Sequence, residues 1–419
     1  MAAEQGRSIV SADDVKESSL PKVSRSRRWV WVLAVALILA IWPAYQAARA
    51  YKTSGFRQKC LQARDQEDWR FMRQTAEEWA EWNPEDGAPW WFAAEASQEL
   101  DELDDLAFFL GHVPESDPKV LFALIEKANL EWTALNRPLD GLKTSEKIIA
   151  MDPRVLEIHS RIISFFAMNL QRPELIAAID RAIDAGAEPR ESYAYLLLAD
   201  MLSFTNGSDL NSRWLASSPD EVRFKIGLGV HTAMKLAMSV DGARTDDSIA
   251  LDEEASRQLQ FFLEAAPHDS TLLTYLMYRA YQAADVDRVG ELLKQVDGSA
   301  ANDHMVWVFR AWYHTTYDEL EDAEASINEA LRLHPISPLA HHEYANLLRR
   351  KQSPDVELHQ RLAAEGRELR SQLLRLPTVV DLDVEMLNRI RQYAVDCNAT
   401  RIAETLKKRL TPRRSSALR

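Results

Sequence analysis

The chain has 419 residues, which is enough for two or three compact domains or for one extended repeat array. Gly (13) and Pro (17) are few and alternating β-branched runs are hard to find, so the composition predicts an all-α protein. The 64 acidic and 50 basic residues give a formal net charge of -14, which excludes a general nucleic-acid binder, because such proteins present a basic face to phosphates.

The N-terminal segment carries the pattern of a membrane anchor. Residues 1–28 are polar, end in "SRSRR" and are predicted to be a disordered tail. The uncharged run 29–48 then has the length, roughly 20 residues, that a helix needs to cross a bilayer. Aromatic rings, which prefer the headgroup region, lie towards its two ends at Trp29, Trp31, Trp42 and Tyr45. We predict a single transmembrane helix, with a buried core helix as the alternative.

The orientation of this segment is less clearly encoded, because basic residues flank it on both sides. Its place near the N-terminus favours a signal-anchor in a bacterial cytoplasmic membrane, with the large C-terminal part exported to the periplasmic side. A cytosol-facing adaptor is the alternative. Ala48 and Ala50 fit a signal-peptidase pattern, so cleavage after Ala50 also stays open.

Cys60 and Cys397 are the two cysteines of the chain. Alone they can build neither a disulfide scaffold nor a thiolate metal site. We interpret both as small packing residues, with one long-range disulfide as the alternative.

The stretch "DELEDAEASINEALRLHP", residues 318–335, has the pattern of an amphipathic helix. Its apolar residues fall three or four apart, on one helical face: Leu320, Ala323, Ile327, Ala330 and Leu331. Asp318 followed by Glu321 resembles a capping box. Pro335 ends the helix because it cannot continue the hydrogen-bond ladder.

Similar terminal prolines recur along the chain. Pro84, Pro118, Pro153 and Pro189 are separated by 34, 35 and 36 residues, and Pro335 lies 68 residues beyond Pro267. Preceding helices carry Trp and Ala at one spacing, as in Trp90 with Ala94 and Trp307 with Ala311. Over about residues 56–370 this pattern resembles the tetratricopeptide repeat, a helix-turn-helix unit of about 34 residues. The resemblance implies a right-handed superhelical solenoid of antiparallel helix pairs with a concave groove.

The period divides the chain into segments. They are 56–189 with N-terminal repeats, 190–267 with a degenerate repeat, 268–370 with C-terminal repeats, 371–410 with capping helices and 411–419 as a basic disordered tail. Within 190–267, "TNGSDLNSRWLASSPDE" is predicted to be an inserted loop.

Motifs for catalysis or cofactor binding are not found in the sequence. A Walker loop, a dinucleotide-binding glycine fingerprint, GxSxG and HExxH do not occur. The adjacent His341 and His342 point about 100° apart on a helix and are a poor pair for one metal ion. We therefore predict no cofactor, no metal and no catalysis. A cell-envelope helical-repeat enzyme or glycan-binding protein, working through two carboxylates, is the alternative.

The resemblance implies that a ligand lies against the first helix of each unit, at positions one and five residues beyond the leading Trp-type position. At these positions the predicted partner-binding groove contains Trp91, Glu95, Thr274, Tyr278, Trp312, His342 and Asn346, and Val308 occupies an equivalent position. Tyr281 and Arg349, which lie one turn further on, complete the predicted groove. Inter-repeat packing is the alternative interpretation. The sequence thus predicts a membrane-anchored scaffold or adaptor with a protein or peptide in its groove and without nucleic acid.

Overall fold

The computed structural model of the chain describes residues 25–238, 257–298 and 300–411, with the side chains of 25–41, 44, 236–238 and 381 left out. The described residues form α-helices and two short 3-10 helices, with no strand among them. The all-α prediction is therefore confirmed. Contacts divide the chain into two units, Met1–Leu100 and Asp101–Arg419.

The described part of the first unit consists of α1 (Arg25–Asp65), α2 (Trp69–Trp82) and α3 (Gly87–Glu99). Trp79 of α2 is buried at the centre of this unit. Its ring lies 6.3 Å from Phe56 of α1 and 6.1 Å from Phe92 of α3, measured between ring centroids. The Trp79 indole therefore packs against both neighbouring helices, and the apolar face of α2 is buried between them.

Helix α1 includes the predicted transmembrane segment 29–48 and runs on to Asp65 with Pro43 inside it. Most of that segment falls where side chains are not described, and residues 1–24 of the predicted tail lie outside the described residues. Within the part of the chain that the structure describes, no helix combines the length and apolar character needed to cross a membrane.

The second unit contains the remaining helices. They are α4 (Leu103–His112), α5 (Val120–Trp132), α6 (Pro138–Met151), α7 (Leu156–Met168), α8 (Arg172–Ala185), α9 (Glu191–Leu197), α10 (Gly207–Ser217), α11 (Val222–Met238), α12 (257–265), α13 (Ser270–Gln282), α14 (Val286–Leu293), α15 (His304–Thr316), α16 (Leu320–Leu333), α17 (Pro338–Arg350), α18 (Val356–Leu373), α19 (Val384–Asp396) and α20 (Thr400–Leu410). The 3-10 helices are Ala300–Asn302 and Val379–Asp381.

A left-handed residue recurs in the turns between paired helices. Eight of the described non-glycine residues have positive φ: Glu67, Asp101, Asn136, Leu170, Ala284, Asp318, Gln352 and Asn398. The first four are 34, 35 and 34 residues apart, and Ala284, Asp318 and Gln352 are each 34 apart. The amide after such a residue donates back across the turn, as in Glu319 N to His314 O at 2.9 Å. The described chain is therefore a helical repeat whose period does not depend on its prolines.

Helix α16 confirms most of the predicted pattern. Ala323, Ile327 and Ala330 are buried on one face, and the helix ends at Leu333, just before the proline. The predicted capping box is wrong, because the helix begins at Leu320 and its N-cap makes no side-chain hydrogen bond. Asp318 is instead the left-handed turn residue, with φ of 62°.

The segment 190–267 corrects the sequence prediction. The predicted inserted loop contains α10, whose Trp214 is buried with its ring centroid 5.3 Å from that of Phe165 and 5.5 Å from that of Phe224. Most of the predicted loop is therefore a helix that packs through its buried indole. All seven residues of α9 are buried as well.

The C-terminal helices of the second unit return to its middle. Helix α9 packs against α7, α18 and the 3-10 helix Val379–Asp381. From α20, Arg401 pairs with Asp180 at 3.1 Å and Arg409 donates to Glu188 O at 2.7 Å. These contacts join the C-terminal helices to α8, α9 and the turn between them. Residues 412–419 of the predicted basic tail lie outside the described residues.

Both cysteines are free and buried, as predicted for packing residues. Burial raises the pKa of Cys60 to about 11. Burial likewise raises the pKa of Cys397 to about 12, so both thiols remain protonated near neutral pH.

Candidate functional site

The predicted groove residues fall in both units. Trp91 and Glu95 lie on α3 of the first unit, where Glu95 pairs with Arg64 of α1 at the surface. The other seven lie in the second unit on α13 and α17 and, for Trp312, on α15.

Five of the seven lie together across α13, α15 and α17: Tyr281, Trp312, His342, Asn346 and Arg349. We call this set the α13–α15–α17 face. The rings of Tyr281 and Trp312 meet edge to face, with centroids 5.2 Å apart and planes at 74°. Arg349 Nη1 donates to Asn346 Oδ1 at 3.0 Å. The stacking of three helices thus brings together side chains that are up to 68 positions apart in sequence.

Glu343, which the sequence prediction missed as a site residue, joins the members of this face. Glu343 is 3 % exposed. Tyr281 Oη donates to Glu343 Oε1 at 2.6 Å, and Asn346 Nδ2 donates to Glu343 Oε2 at 3.3 Å. Burial, and then the adjacent carboxylate, raise the pKa of Tyr281, so its phenol stays protonated and keeps donating. The sequence did contain a signal for Glu343, because it lies three and six residues before Asn346 and Arg349 and therefore on the same side of the helix.

The face presents several chemical groups to solvent. The His342 side chain is 43 % exposed, and its Nε2 lies 3.9 Å from the Glu343 carboxylate. Arg349 is exposed, whereas Trp312 is partly buried and also packs on the core of the second unit. The face thus offers the ring of Trp312, the imidazole of His342 and the guanidinium of Arg349, supported by the hydrogen bonds of Glu343 and Asn346. These groups suit recognition of a polar or acidic segment.

Two predicted residues on α13 lie apart from this face. Thr274 is fully buried, and its hydroxyl donates to Asp303 Oδ2 at 3.3 Å, so a groove ligand cannot reach it. Val308 on α15 is fully buried too. Tyr278 is partly exposed and lines a cavity beside the face.

A buried carboxylate supports the helices of the face from behind. Asp200, in the segment that follows α9, accepts from His304 Nε2 at 2.7 Å, from Ser337 Oγ at 2.9 Å and from the Leu339 amide at 3.3 Å. Burial alone would raise the pKa of Asp200. The hydrogen bond and attraction of His304 outweigh burial and hold that pKa well below its usual range. This carboxylate therefore ties its segment to the first turns of α15 and α17.

A second buried network holds the same segment. Arg172 Nε donates to Ala199 O at 2.6 Å, and its Nη1 pairs with Asp303 Oδ2 at 2.5 Å. The two side chains of this ion pair are 2 % and 0 % exposed. Removing one partner of such a pair typically costs about 3–5 kcal/mol, because the other charge is left buried.

Asp200, His304 and His334 also have the composition of a metal-ligand set, with one possible ligand atom from each within 4.8 Å of the others. Each already has a partner in the protein, since His304 donates to Asp200 and His334 Nε2 lies 2.9 Å from Leu196 O. We interpret the group as a structural tie between the segment after α9 and the helices of the face.

No family model matches the sequence, and no curated protein matches it. Among solved structures, the chain is similar to a tetratricopeptide repeat protein from Parabacteroides merdae, at 10 % identity over 71 % of this chain and 98 % of that chain, with a TM-score of 0.26. It is also similar to the APC/C hetero-tetramer Cut9-Hcn1, at 11 % identity over 85 % of this chain and 86 % of that chain, with a TM-score of 0.30. A third similarity is to yeast Tom70, at 12 % identity over 86 % of this chain and 88 % of that chain, with a TM-score of 0.25. Because these scores are low, the description as a helical repeat rests on the chain's own helix pairs and turns.

The buried histidines predict that stability falls in mild acid. Burial, and then the neighbouring His304, lower the pKa of His334 from 6.5 to about 3, so below about pH 6.5 the unfolded chain binds a proton that the folded chain excludes. The contribution is fully present above pH 6.5 and is lost as pH falls from there towards 3. Between pH 7.5 and 5 we expect a loss of about 2 kcal/mol from this residue.

Thermal unfolding at the two pH values measures this loss. The His334→Asn variant should show a Tm difference between pH 7.5 and pH 5 that is smaller than wild type by a few degrees. Part of the difference should persist, because the pKa of His341 is also lowered, to about 4, by burial and then by His359. The exposed His112→Asn variant is the control. An unchanged Tm difference in His334→Asn would contradict the interpretation.

Proposed function

We propose that the protein is a membrane-anchored scaffold that binds a protein or peptide partner on the α13–α15–α17 face, without catalysis of its own. The observation that carries this proposal is the hydrogen-bond chain from Tyr281 through Glu343 and Asn346 to Arg349, with Trp312 packed against its first member.

This arrangement favours binding because its polar groups are held in place before a partner arrives. Glu343 fixes Tyr281 and Asn346, and Asn346 in turn orients Arg349. A pre-organised surface loses less conformational entropy on association. Tryptophan, tyrosine and arginine are also the side chains enriched at interface hot spots. A partner segment with an acidic group could pair with the exposed guanidinium beside the indole edge.

Support for the anchor comes from the sequence and from α1. The uncharged run 29–48 has the length of a membrane crossing, roughly 20 residues. The same helix continues to Cys60, which is buried in the first unit. Trp42, Tyr45 and Tyr51 are exposed near the end of the run, where aromatic rings favour the headgroup region. We propose that this helix holds the first unit close to the bilayer, with the C-terminal part exported.

Partner capture tests the face. Crosslinking in intact membranes, followed by affinity purification in detergent, should recover at least about tenfold less partner with Trp312→Ala than with wild type, because hot-spot truncations cost about 2 kcal/mol or more. Arg349→Ala should also lower the yield.

The matched control for partner capture is Tyr317→Ala. Tyr317 is an exposed aromatic residue that directly follows α15, outside the face. Its variant should recover the partner in the wild-type yield. Recovery of the same partners in the same yield with Trp312→Ala and Arg349→Ala would refute the assignment of the face.

Membrane fractionation tests the anchor. The full chain should stay in the membrane pellet after an alkaline carbonate wash, whereas a variant without residues 29–48 should be released, since it has lost the apolar run that the bilayer solvates. Replacement of 29–48 by an apolar Leu/Ala helix of the same length is the control and should restore retention. Retention of the deletion variant would contradict anchoring, and activity of a cytosol-only reporter at the C-terminus would contradict export.

A further inference from the structure

A cavity of about 330 Å³ opens in the second unit beside the α13–α15–α17 face. Its walls come from the segment after α9 and from α11, α13, α15, α17 and α18. The apolar side chains that line it are Met201, Leu202, Met234, Met305, Leu339 and Leu374. Three of these are methionines, whose unbranched, flexible side chains adapt to the shape of an apolar guest. The volume is at the small end of ligand sites, which span about 300–1,000 Å³.

Arg370 and Asp200 are the two charged residues among those that line this cavity. Arg370 lies on α18, and its guanidinium makes no hydrogen bond or ion pair with any residue that the structure describes. Asp200 lines the same cavity and attracts Arg370, but its oxygens already accept from His304, Ser337 and the Leu339 amide. A guanidinium beside an apolar wall is best satisfied by an anion that offers two oxygens in a plane.

Two further donors lie one helical turn apart on α13. Tyr278 and Gln282, which carry a hydroxyl and a side-chain amide, line the cavity, and neither side chain is hydrogen bonded to another described residue. With Arg370 they form a small set of polar groups around an otherwise apolar space. That combination, an apolar wall with few convergent polar groups, is typical of a small-molecule site.

From these observations we propose that the cavity binds a small carboxylic acid with a linear apolar chain. In this proposal the carboxylate of the ligand pairs with Arg370. Tyr278 and Gln282 donate further hydrogen bonds to that carboxylate, and the apolar chain of the ligand lies against the methionines. Leu374, which is 54 % exposed at the rim, becomes covered. A peptide C-terminus offers the same chemistry, but the cavity volume favours the small acid. Trp312 takes no part in lining the cavity, so this site and the partner-binding face are separable.

Binding of octanoate tests the proposal. The full chain in lipid nanodiscs is titrated with octanoate labelled with ¹³C at the carboxyl carbon, and empty nanodiscs provide the background. We expect saturable binding that weakens at least about tenfold in Arg370→Gln, because a charge-assisted hydrogen bond is lost. Arg370→Lys keeps the charge and should show an intermediate affinity. Arg367→Gln, an exposed arginine on the same helix, is the matched control and should bind like wild type.

Competition separates this site from general apolar adsorption. 1-Octanol has the same chain without the charge and should displace octanoate only at concentrations at least about tenfold higher. Equal affinity in Arg370→Gln and wild type, displacement by octanol at equal concentration, or binding of N-acetyl-Leu-Leu but not of octanoate would each overturn the proposal. Tyr278→Phe, which removes one hydroxyl, should weaken octanoate binding a few-fold. This variant provides a second measurement if Arg370→Gln folds poorly. Partner recovery by Trp312→Ala reports on the face and is independent of these results.

Discussion

The buried carboxylate of Asp200 is the constraint on which the second unit depends. Removing a carboxylate from water costs several kcal/mol unless donors replace the lost hydration. Here the donors are the His304 ring, the Ser337 hydroxyl and the Leu339 amide, which are 104, 137 and 139 positions away in sequence. The charge is satisfied only when α15, α17 and the segment after α9 are all in place. One side chain thereby selects one packing of these three parts.

The α13–α15–α17 face depends on that packing. Asp200 fixes the first turn of α17, and the same helix carries Glu343, which must reach Tyr281 on α13. The turn after α7 is also held by a hydrogen bond to a helix that is distant in sequence. Leu170 adopts a left-handed conformation, which costs roughly 1–2 kcal/mol for a residue of this type. Its carbonyl accepts from Thr271 Oγ1 of α13 at 2.9 Å, so the turn and the helix support each other.

Much of the fold could be predicted from the sequence because its signals are local and periodic. The buried face of α16 follows from residues three and four apart, and its end follows from the proline. The predicted capping box failed because Asp318 adopts the left-handed conformation that recurs in the turns between paired helices. The inserted loop was wrong because its polar residues conceal one buried indole, Trp214, that makes the segment a helix.

The candidate site was predictable only in part, for a related reason. Trp312 and Asn346 were predicted from the repeat spacing and Tyr281 from its place one turn further on, and stacked helices bring the three to one face. Asp200 and Arg370 gave no such signal, because distant segments form both the contacts of Asp200 and the cavity that Arg370 lines. Equivalent repeat positions also differ in burial, so Thr274 carries the right spacing and yet faces the interior.

Hydrogen exchange at the Leu339 amide tests the central role of Asp200 most directly. The amide donates to the Asp200 carboxylate. In the Asp200→Asn variant the negative charge is lost and one of the two oxygens becomes an NH2 group, which cannot accept from the donors on its side. We predict that exchange in a peptide covering the first turn of α17 accelerates at least about tenfold in the variant, equivalent to about 1.4 kcal/mol. Peptides of α2 and an Asp209→Asn control should be unchanged. Wild-type protection of Leu339 in Asp200→Asn would contradict the account.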